Sequence, residues 1–242
     1  MNKMLVLCSA ICMMLLAACD SNKLYDSRDG KTYKTVTIGA RTWMAENLNY
    51  SDSIAAPGLV GRSICPNNSA ENCAKYGRLY TWAAAMDSAG TFSTDGKGCS
   101  FATRKEWNNC FKEWRSIKRL RGICPEGWHL PSWKEWRTLF EITGNVYALQ
   151  AKGFAEWRDA TDASGFSALP AGKISIYRGK EVSIYDFNNS AELWMPSGDY
   201  VLIGTGGTYL MSNGSGHLEQ EQTFPKRLSV RCIKDDPQDK LY

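Results

Sequence analysis

Nine cysteines in a 242-residue chain constrain its fold more than any other feature. Cys8 and Cys12 lie in an apolar stretch that follows Lys3, and Cys19 ends the motif LAAC. This layout is typical of a bacterial export signal with a lipobox, whose cysteine becomes the lipidated first residue. We therefore expect residues 1–18 to be a lipoprotein signal peptide and Cys19 to carry lipid. The alternative is an ordinary signal that places a cysteine near its cleavage site.

A lipid anchor would hold the chain on the bacterial cell envelope. The apolar stretch is shorter than the roughly 20 residues that a membrane-spanning helix needs, and no second apolar span follows it. Several acyl chains together make a stable anchor. We expect the exported chain at the outer membrane or cell surface rather than at the inner membrane.

The six remaining cysteines predict a disulfide framework, because an even number in an exported chain is typical of paired thiols. Two pairs close short loops, and the third ties the middle of the chain to its end: Cys65–Cys73, Cys99–Cys110 and Cys124–Cys232. In the entropic account a loop of about 100 residues stabilises the fold by roughly 4.7 kcal/mol. The third pair is therefore expected to contribute most.

Composition favours one loop-rich α+β domain. Residues 19–28 are short and polar and predict a tether, residues 29–235 a single domain, and residues 236–242 a polar tail. The net charge is only +4, whereas nucleic-acid binders carry a strongly basic face. We expect no nucleic-acid partner and no cofactor or metal.

Local patterns place the elements of this domain. Alternation predicts a strand over 31–39, and the alanines of 77–90 predict a helix that Gly90 ends. Hairpins are expected over 173–186 and 201–211. Residues 227–235 alternate as one strand, which puts the following side chains on one buried face: Leu228, Val230 and Cys232.

A basic stretch over 104–121 carries aromatic side chains at near-helical spacing. It predicts a surface helix whose apolar stripe packs on its own domain. The alternative is an amphipathic helix on a lipid or acidic-glycan surface.

The segment CPEGWHLPSWKEW holds Ser132 and Glu135 at the spacing of a capping box, so a helix is expected to start at Ser132. Its tryptophans are expected in the core. A zinc site from Cys124, Glu126 and His129 lacks a known ligand spacing, and a paired cysteine offers no thiolate. We therefore interpret this segment as architecture.

Five blocks together resemble the Fibrobacter succinogenes major paralogous domain: DGKTYKTVTIGARTWMAENLNY, NCAKYGRLYTWAAAMDSAG, CPEGWHLPSWKEWRTLF, GFSALPAG and SVRCIKD. The resemblance implies a branch of the C-type-lectin-like fold, near the formylglycine-generating enzymes. Two helices would pack on small antiparallel sheets with long loops and disulfides. The sequence departs from the family pattern at ELWMPS (192–197) and in the longer basic stretch.

The resemblance implies a non-catalytic binding or adhesion module that presents a variable loop face, 173–224, to a glycan or protein. Five aromatic residues are the candidate ligand contacts: Trp194, Tyr177, Tyr185, Tyr200 and Tyr209. Trp194 ranks first because it stands where the family pattern is altered. One alternative is a structural protein that organises other envelope components. A formylglycine-generating-like oxidase is a further alternative, although no cysteine pair is left over for its copper.

Overall fold

The computed structural model describes residues 22–99, 119–177, 180–211 and 226–237, and for 176–185 the backbone only. The predicted signal peptide, Cys19, Cys110 and most of the basic stretch lie outside the described residues. No helix within these ranges is long and apolar enough to cross a membrane.

Short strands and a few helices make up an α+β fold, as the sequence predicts. The described strands are β1 Lys23–Asp26, β2 Lys31–Ile38, β3 Arg41–Met44, β4 Ser63–Ile64, β5 Leu79–Thr81, β6 Trp128–His129, β7 Lys173–Tyr177, β8 Lys180–Tyr185, β9 Ser190–Trp194, β10 Tyr200–Gly204, β11 Gly207–Met211, β12 Lys226–Leu228 and β13 Ile233–Lys234. The α-helices in the same ranges are α1 Ala70–Tyr76, α2 Trp82–Ala85 and α3 Trp133–Thr143. Three 3-10 turns accompany them: Pro57–Leu59, Pro66–Asn68 and Val146–Ala148.

The strands form three small antiparallel sheets. Their orders are β1-β2-β3-β13-β6, β11-β10-β9 and β4-β5-β12-β7-β8. The two predicted hairpins are confirmed as β7–β8 and β10–β11. β9 is buried along its whole length because its successive side chains enter two different cores, Leu193 one and Trp194 the other.

The C-terminal segment, residues 226–234, joins all three sheets. β12 lies in one sheet and β13 in another, and between them the Ser229 amide donates to the Glu192 carbonyl of β9 at 3.0 Å. The single strand predicted over 227–235 is therefore wrong, because the chain changes partners at Ser229. The expected buried face is confirmed, since three side chains are fully buried: Leu228, Val230 and Cys232.

Disulfides fasten the fold at two described places. Cys124 bonds to Cys232 with 5.9 Å between the Cα atoms, and Cys65 bonds to Cys73. Both predicted pairs are confirmed. Cys99 is also disulfide-bonded, but the predicted partner Cys110 lies outside the described residues.

The predicted tether over 19–28 is too long. β1 occupies Lys23–Asp26 and pairs with β2. Leu24 lies directly opposite Tyr33 across this strand pair. Both side chains are buried in one core. The sheet therefore starts before Asp29, because burial of Leu24 favours ordering these residues.

The helix predicted over 77–90 is also wrong for most of its length. Leu79–Thr81 forms β5, which pairs with β4 on one side and β12 on the other. Thr81 then caps the single turn of α2 by accepting a hydrogen bond from the Ala84 amide at 3.2 Å. Asp87 has a φ of 52°, which ends the helical path, so strand pairing overrides the alanine propensity.

Helix α3 confirms the predicted capping box. The Glu135 amide donates to Ser132 Oγ at 3.4 Å, and the Ser132 amide donates to the Glu135 carboxylate at 2.8 Å. Trp136 is fully buried, but Trp133 is 47% exposed and lies under Arg137. The expectation of a core position is therefore wrong for Trp133, which faces outward at the first turn.

Candidate functional site

The aromatic residue ranked first as a ligand contact lies in the core. Trp194 is 1% exposed, and its Nε1 donates to the Tyr80 carbonyl at 2.7 Å. Tyr200 is also buried, with its ring edge-on to Trp194. Both are wrong as surface contacts, because the strand alternation of β9 and β10 directs them inward.

The other candidates do not assemble an aromatic face within the described residues. Tyr209 is 48% exposed, and its hydroxyl donates to the Gly206 carbonyl within its own hairpin at 3.0 Å. Tyr177 ends β7 and Tyr185 ends β8, but their side chains lie outside the description. The candidates are therefore divided between two sheets and do not form a described site.

An open groove of about 370 Å³ offers a different candidate site. Its walls come from β2, the segment 45–49, helix α1 and the loop at Ser167. The lining includes these charged and amide side chains: Lys31, Lys34, Glu46, Asn47, Asn49 and Lys75. We call this site the lysine groove.

Gly77 lets helix α1 close against the segment 45–49. It has a φ of 74°, and a Cβ there would lie 2.9 Å from the carbonyl oxygens of both Asn47 and Leu48. A side chain would therefore push α1 away from the opposite wall. The Arg78 amide then donates to the Leu48 carbonyl at 3.1 Å, which fixes the groove's width.

Asn47 lines the groove, and the buried Arg231 supports it from the side away from the groove. Asn47 donates to the Tyr76 carbonyl at 2.8 Å and accepts from Arg231 Nε at 2.8 Å. Arg231 is fully buried, donates to the carbonyls of Phe166 and Ser167, and lies over the Phe166 ring. Burial lowers the pKa of Arg231 to about 9. This residue therefore ties three segments together under the groove.

The rim of the groove is basic. Lys31 is engaged, since its Nζ donates to Asp29 at 2.7 Å and to the Asn49 carbonyl at 2.8 Å. Lys34 and Lys75 are exposed on opposite walls. Glu46 is the acidic residue of the lining, and its carboxylate accepts from the Lys34 amide. The Lys75 ammonium lies 4.9 Å from the centre of the Tyr76 ring and 5.1 Å from that of Phe154. Both exposed lysines keep N–H groups that can donate to an anion.

A second polar cluster lies where the other two sheets meet. Glu192 on β9 is fully buried, and Lys173 Nζ donates to its Oε1 at 2.8 Å and to Asp186 at 3.1 Å. Burial raises the pKa of Glu192, and the Lys173 ammonium only partly opposes it. Among the described residues Glu192 Oε2 has no hydrogen-bond partner. This cluster joins β7 to β9, and no described cavity opens beside it.

Both ring nitrogens of His129 lie within hydrogen-bond distance of carboxylates. Nδ1 lies 2.6 Å from Asp235 and Nε2 3.0 Å from Glu135, which also binds Arg41 at 2.9 Å. Burial lowers the pKa of His129, but the two carboxylates outweigh it and raise the net value. Glu135 is therefore both a helix cap and an ion-pair partner. We call these four residues the histidine clamp.

The zinc interpretation of the same segment does not fit the structure. Cys124 is bonded to Cys232, so it has no thiolate for a metal. Within the described part of the chain no three His, Cys, Asp or Glu side chains are grouped as metal ligands. The segment acts as architecture in the described fold.

Sequence reasoning missed Arg231 and the groove for different reasons. Arg231 lies between Val230 and Cys232 in a segment predicted to be buried, and a charge in such a segment indicates that it is paired. This signal could have identified Arg231. The groove has no such signal, because residues 31–34, 45–49 and 73–77 meet only in the fold.

Comparison with known proteins defines the class of this α+β scaffold. The chain belongs to the Fibrobacter succinogenes major domain family, whose model matches residues 36–234. This confirms the family predicted from the five blocks. No curated protein and no solved structure matches the chain.

Proposed function

We propose that the chain is a lipid-anchored, non-catalytic binding module of the bacterial envelope with a C-type-lectin-like fold. The ligand site in this proposal is the lysine groove, and the ligand is acidic and rich in hydrogen-bonding groups. One observation carries the proposal: two exposed lysines, Lys34 and Lys75, line a groove of about 370 Å³ whose inner wall includes the buried, hydrogen-bonded Asn47. That volume falls at the lower end of ordinary ligand pockets.

The chemistry of the lining favours an acidic ligand over a neutral one. Three lysines and one glutamate line the groove. Even with Lys31 neutralised by Asp29, Lys34 and Lys75 exceed Glu46 by one positive charge. A carboxylate, sulfate or phosphate placed between the two walls would satisfy both ammonium groups.

The same lining favours a small polar group over a protein surface. Protein interfaces centre on buried aromatic or arginine anchors, and the groove presents mainly amides, hydroxyls and ammonium groups, with Tyr33 as the aromatic residue of the described lining. Asn49, Thr32 and Ser167 can exchange hydrogen bonds with hydroxyl groups of a ligand. An acidic oligosaccharide is a simple soluble molecule that carries both negative charge and many hydroxyl groups.

Several described side chains of types that often act in catalysis are already bonded, which supports a binding role without catalysis. Both nitrogens of His129 are held by carboxylates, and Cys65, Cys73, Cys99, Cys124 and Cys232 are bonded. These groups cannot act as a free base or a thiolate nucleophile.

Charge reversal on the groove walls tests this proposal. Titration calorimetry would measure binding of an oligogalacturonate to the mature chain and to the variants Lys34→Glu and Lys75→Glu. Each variant should bind about tenfold more weakly, because a charge-assisted hydrogen bond becomes a repulsion. Lys152→Glu is the matched control, since Lys152 is exposed and does not line the groove. Equal weakening in all three variants would contradict the groove as the site.

A further inference from the structure

We propose that the outer face of the β1–β2 hairpin lies on the membrane, where the lysine groove takes the anionic headgroup of a lipid. This inference names the physiological ligand of the groove and rests on the proposed function, including the lipid on Cys19. The face is defined by four exposed residues: Lys23, Tyr25, Thr32 and Lys34.

The distance to the anchor is short. Asn22 already belongs to the sheet, because its carbonyl accepts a hydrogen bond from the Thr35 amide at 2.8 Å. Only Asp20 and Ser21 separate it from Cys19. Three Cα steps of at most about 3.6 Å reach roughly 11 Å. The edge of the sheet must therefore lie beside the headgroups of the bilayer that holds the lipid.

The residues of this face are neighbours across the two strands. β1 pairs Lys23 with Lys34 and Tyr25 with Thr32. On the other face of β1, Leu24 and Asp26 are buried. Because side chains alternate along a strand, the four exposed residues form one continuous outer surface at the edge of the sheet.

This surface matches an anionic membrane in charge and in ring chemistry. Lys34 is exposed on this face and carries a positive charge, which an anionic surface attracts. Tyr25 is 65% exposed, and tyrosine rings are enriched at the level of the headgroups. Each lysine near such a surface strengthens attachment by about fivefold.

The outer face is continuous with the groove. This continuity indicates which molecule the groove binds. Thr32 and Lys34 line the groove as well as the face. With β1 held at the bilayer, the groove rim faces the phosphate groups of the same leaflet. The proposed occupant is therefore a phosphate-bearing lipid headgroup of that membrane.

Vesicle flotation tests the inference with the mature chain carrying Cys19→Ser, so that acylation does not dominate. Phosphatidylcholine vesicles would be compared with vesicles that also contain phosphatidylglycerol. The chain should float only with the anionic vesicles. Lys34→Glu should weaken attachment by at least about fivefold, and Tyr25→Ser should weaken it measurably. Lys152→Glu and Tyr209→Ser are the matched controls, and circular dichroism checks that each variant folds.

Three results would overturn the inference. The first is failure to float with anionic vesicles while the oligogalacturonate still binds, which leaves the proposed function intact. The second is vesicle attachment that Lys34→Glu and Tyr25→Ser leave unchanged, which places the membrane on another face. The third is binding of inorganic phosphate in the groove without any vesicle attachment, which identifies a free anion as the ligand.

Discussion

At the scale of single residues, His129 is a buried titratable group whose charge affects the stability of the fold. It lies between Asp235, the residue directly after β13, and Glu135 on α3, and Arg41 from β3 shares Glu135. Arg119 lies 4.0 Å from Asp235. A protonated His129 donates to both carboxylates, so its charge joins β6, β13 and α3.

The histidine clamp predicts a pH dependence of stability. The pKa of His129 is raised from its ordinary 6.5, so its stabilisation is complete below that value and is lost as pH rises through the raised pKa. Hydrogen bonding to His129 lowers the pKa of Asp235. Burial raises the pKa of Glu135, but His129 outweighs it and lowers the net value. The carboxylates therefore stabilise above their ordinary 3.8 and 4.5 and lose this effect at lower pH.

Melting temperatures across the pH range check this prediction. The wild-type chain should melt highest between the ordinary carboxyl values and the raised pKa of His129, and at lower temperature as pH rises through that raised pKa. His129→Gln should remove most of the fall on the alkaline side. An unchanged pH profile in that variant would contradict the clamp.

At the scale of elements, the C-terminal segment 226–234 determines how the sheets meet. Arg231 is the clearest example, because its guanidinium binds Asn47 next to β3 and the carbonyls of Phe166 and Ser167. These carbonyls belong to the loop that forms one wall of the groove. Removing the guanidinium would leave three buried acceptors unpaired.

Arg231→Met should therefore lower the free energy of unfolding by roughly 2–4 kcal/mol, measured by urea denaturation. Arg137→Met is the control, because Arg137 is exposed, pairs with Glu141 at the surface and otherwise contacts the exposed Trp133 ring. It should change stability by less than about 1 kcal/mol. Similar effects of the two substitutions would mean that Arg231 does not hold the segments together.

Elements set by local signals were predicted well, and elements set by distant partners were not. The capping box at Ser132 and the turns of both hairpins depend on residues close in sequence. The strand β5 formed where a helix was expected, because it pairs with β4 and with β12, which is far away in sequence. The burial of Trp194 likewise depends on a partner that is distant in sequence, the Tyr80 carbonyl, so the local pattern around Trp194 does not predict it.

At the scale of the whole molecule, the family's blocks meet in one scaffold. Asn47, Phe166 and Arg231 come from three of the blocks and are joined directly, and Cys124 of a fourth is bonded to Cys232 beside Arg231. The sequence predicts the family and two described disulfides. It cannot reveal the groove, whose walls come from segments that lie far apart along the chain.

Hydrogen–deuterium exchange with and without oligogalacturonate tests most directly where this molecule binds. The account predicts slower exchange in three segments that wall the groove: 31–34, 45–49 and 73–77. Exchange in the β10–β11 hairpin, 200–211, should not change. Slower exchange in that hairpin, with the three groove segments unaffected, would contradict the central claim and return the ligand site to the loop face first expected from the sequence.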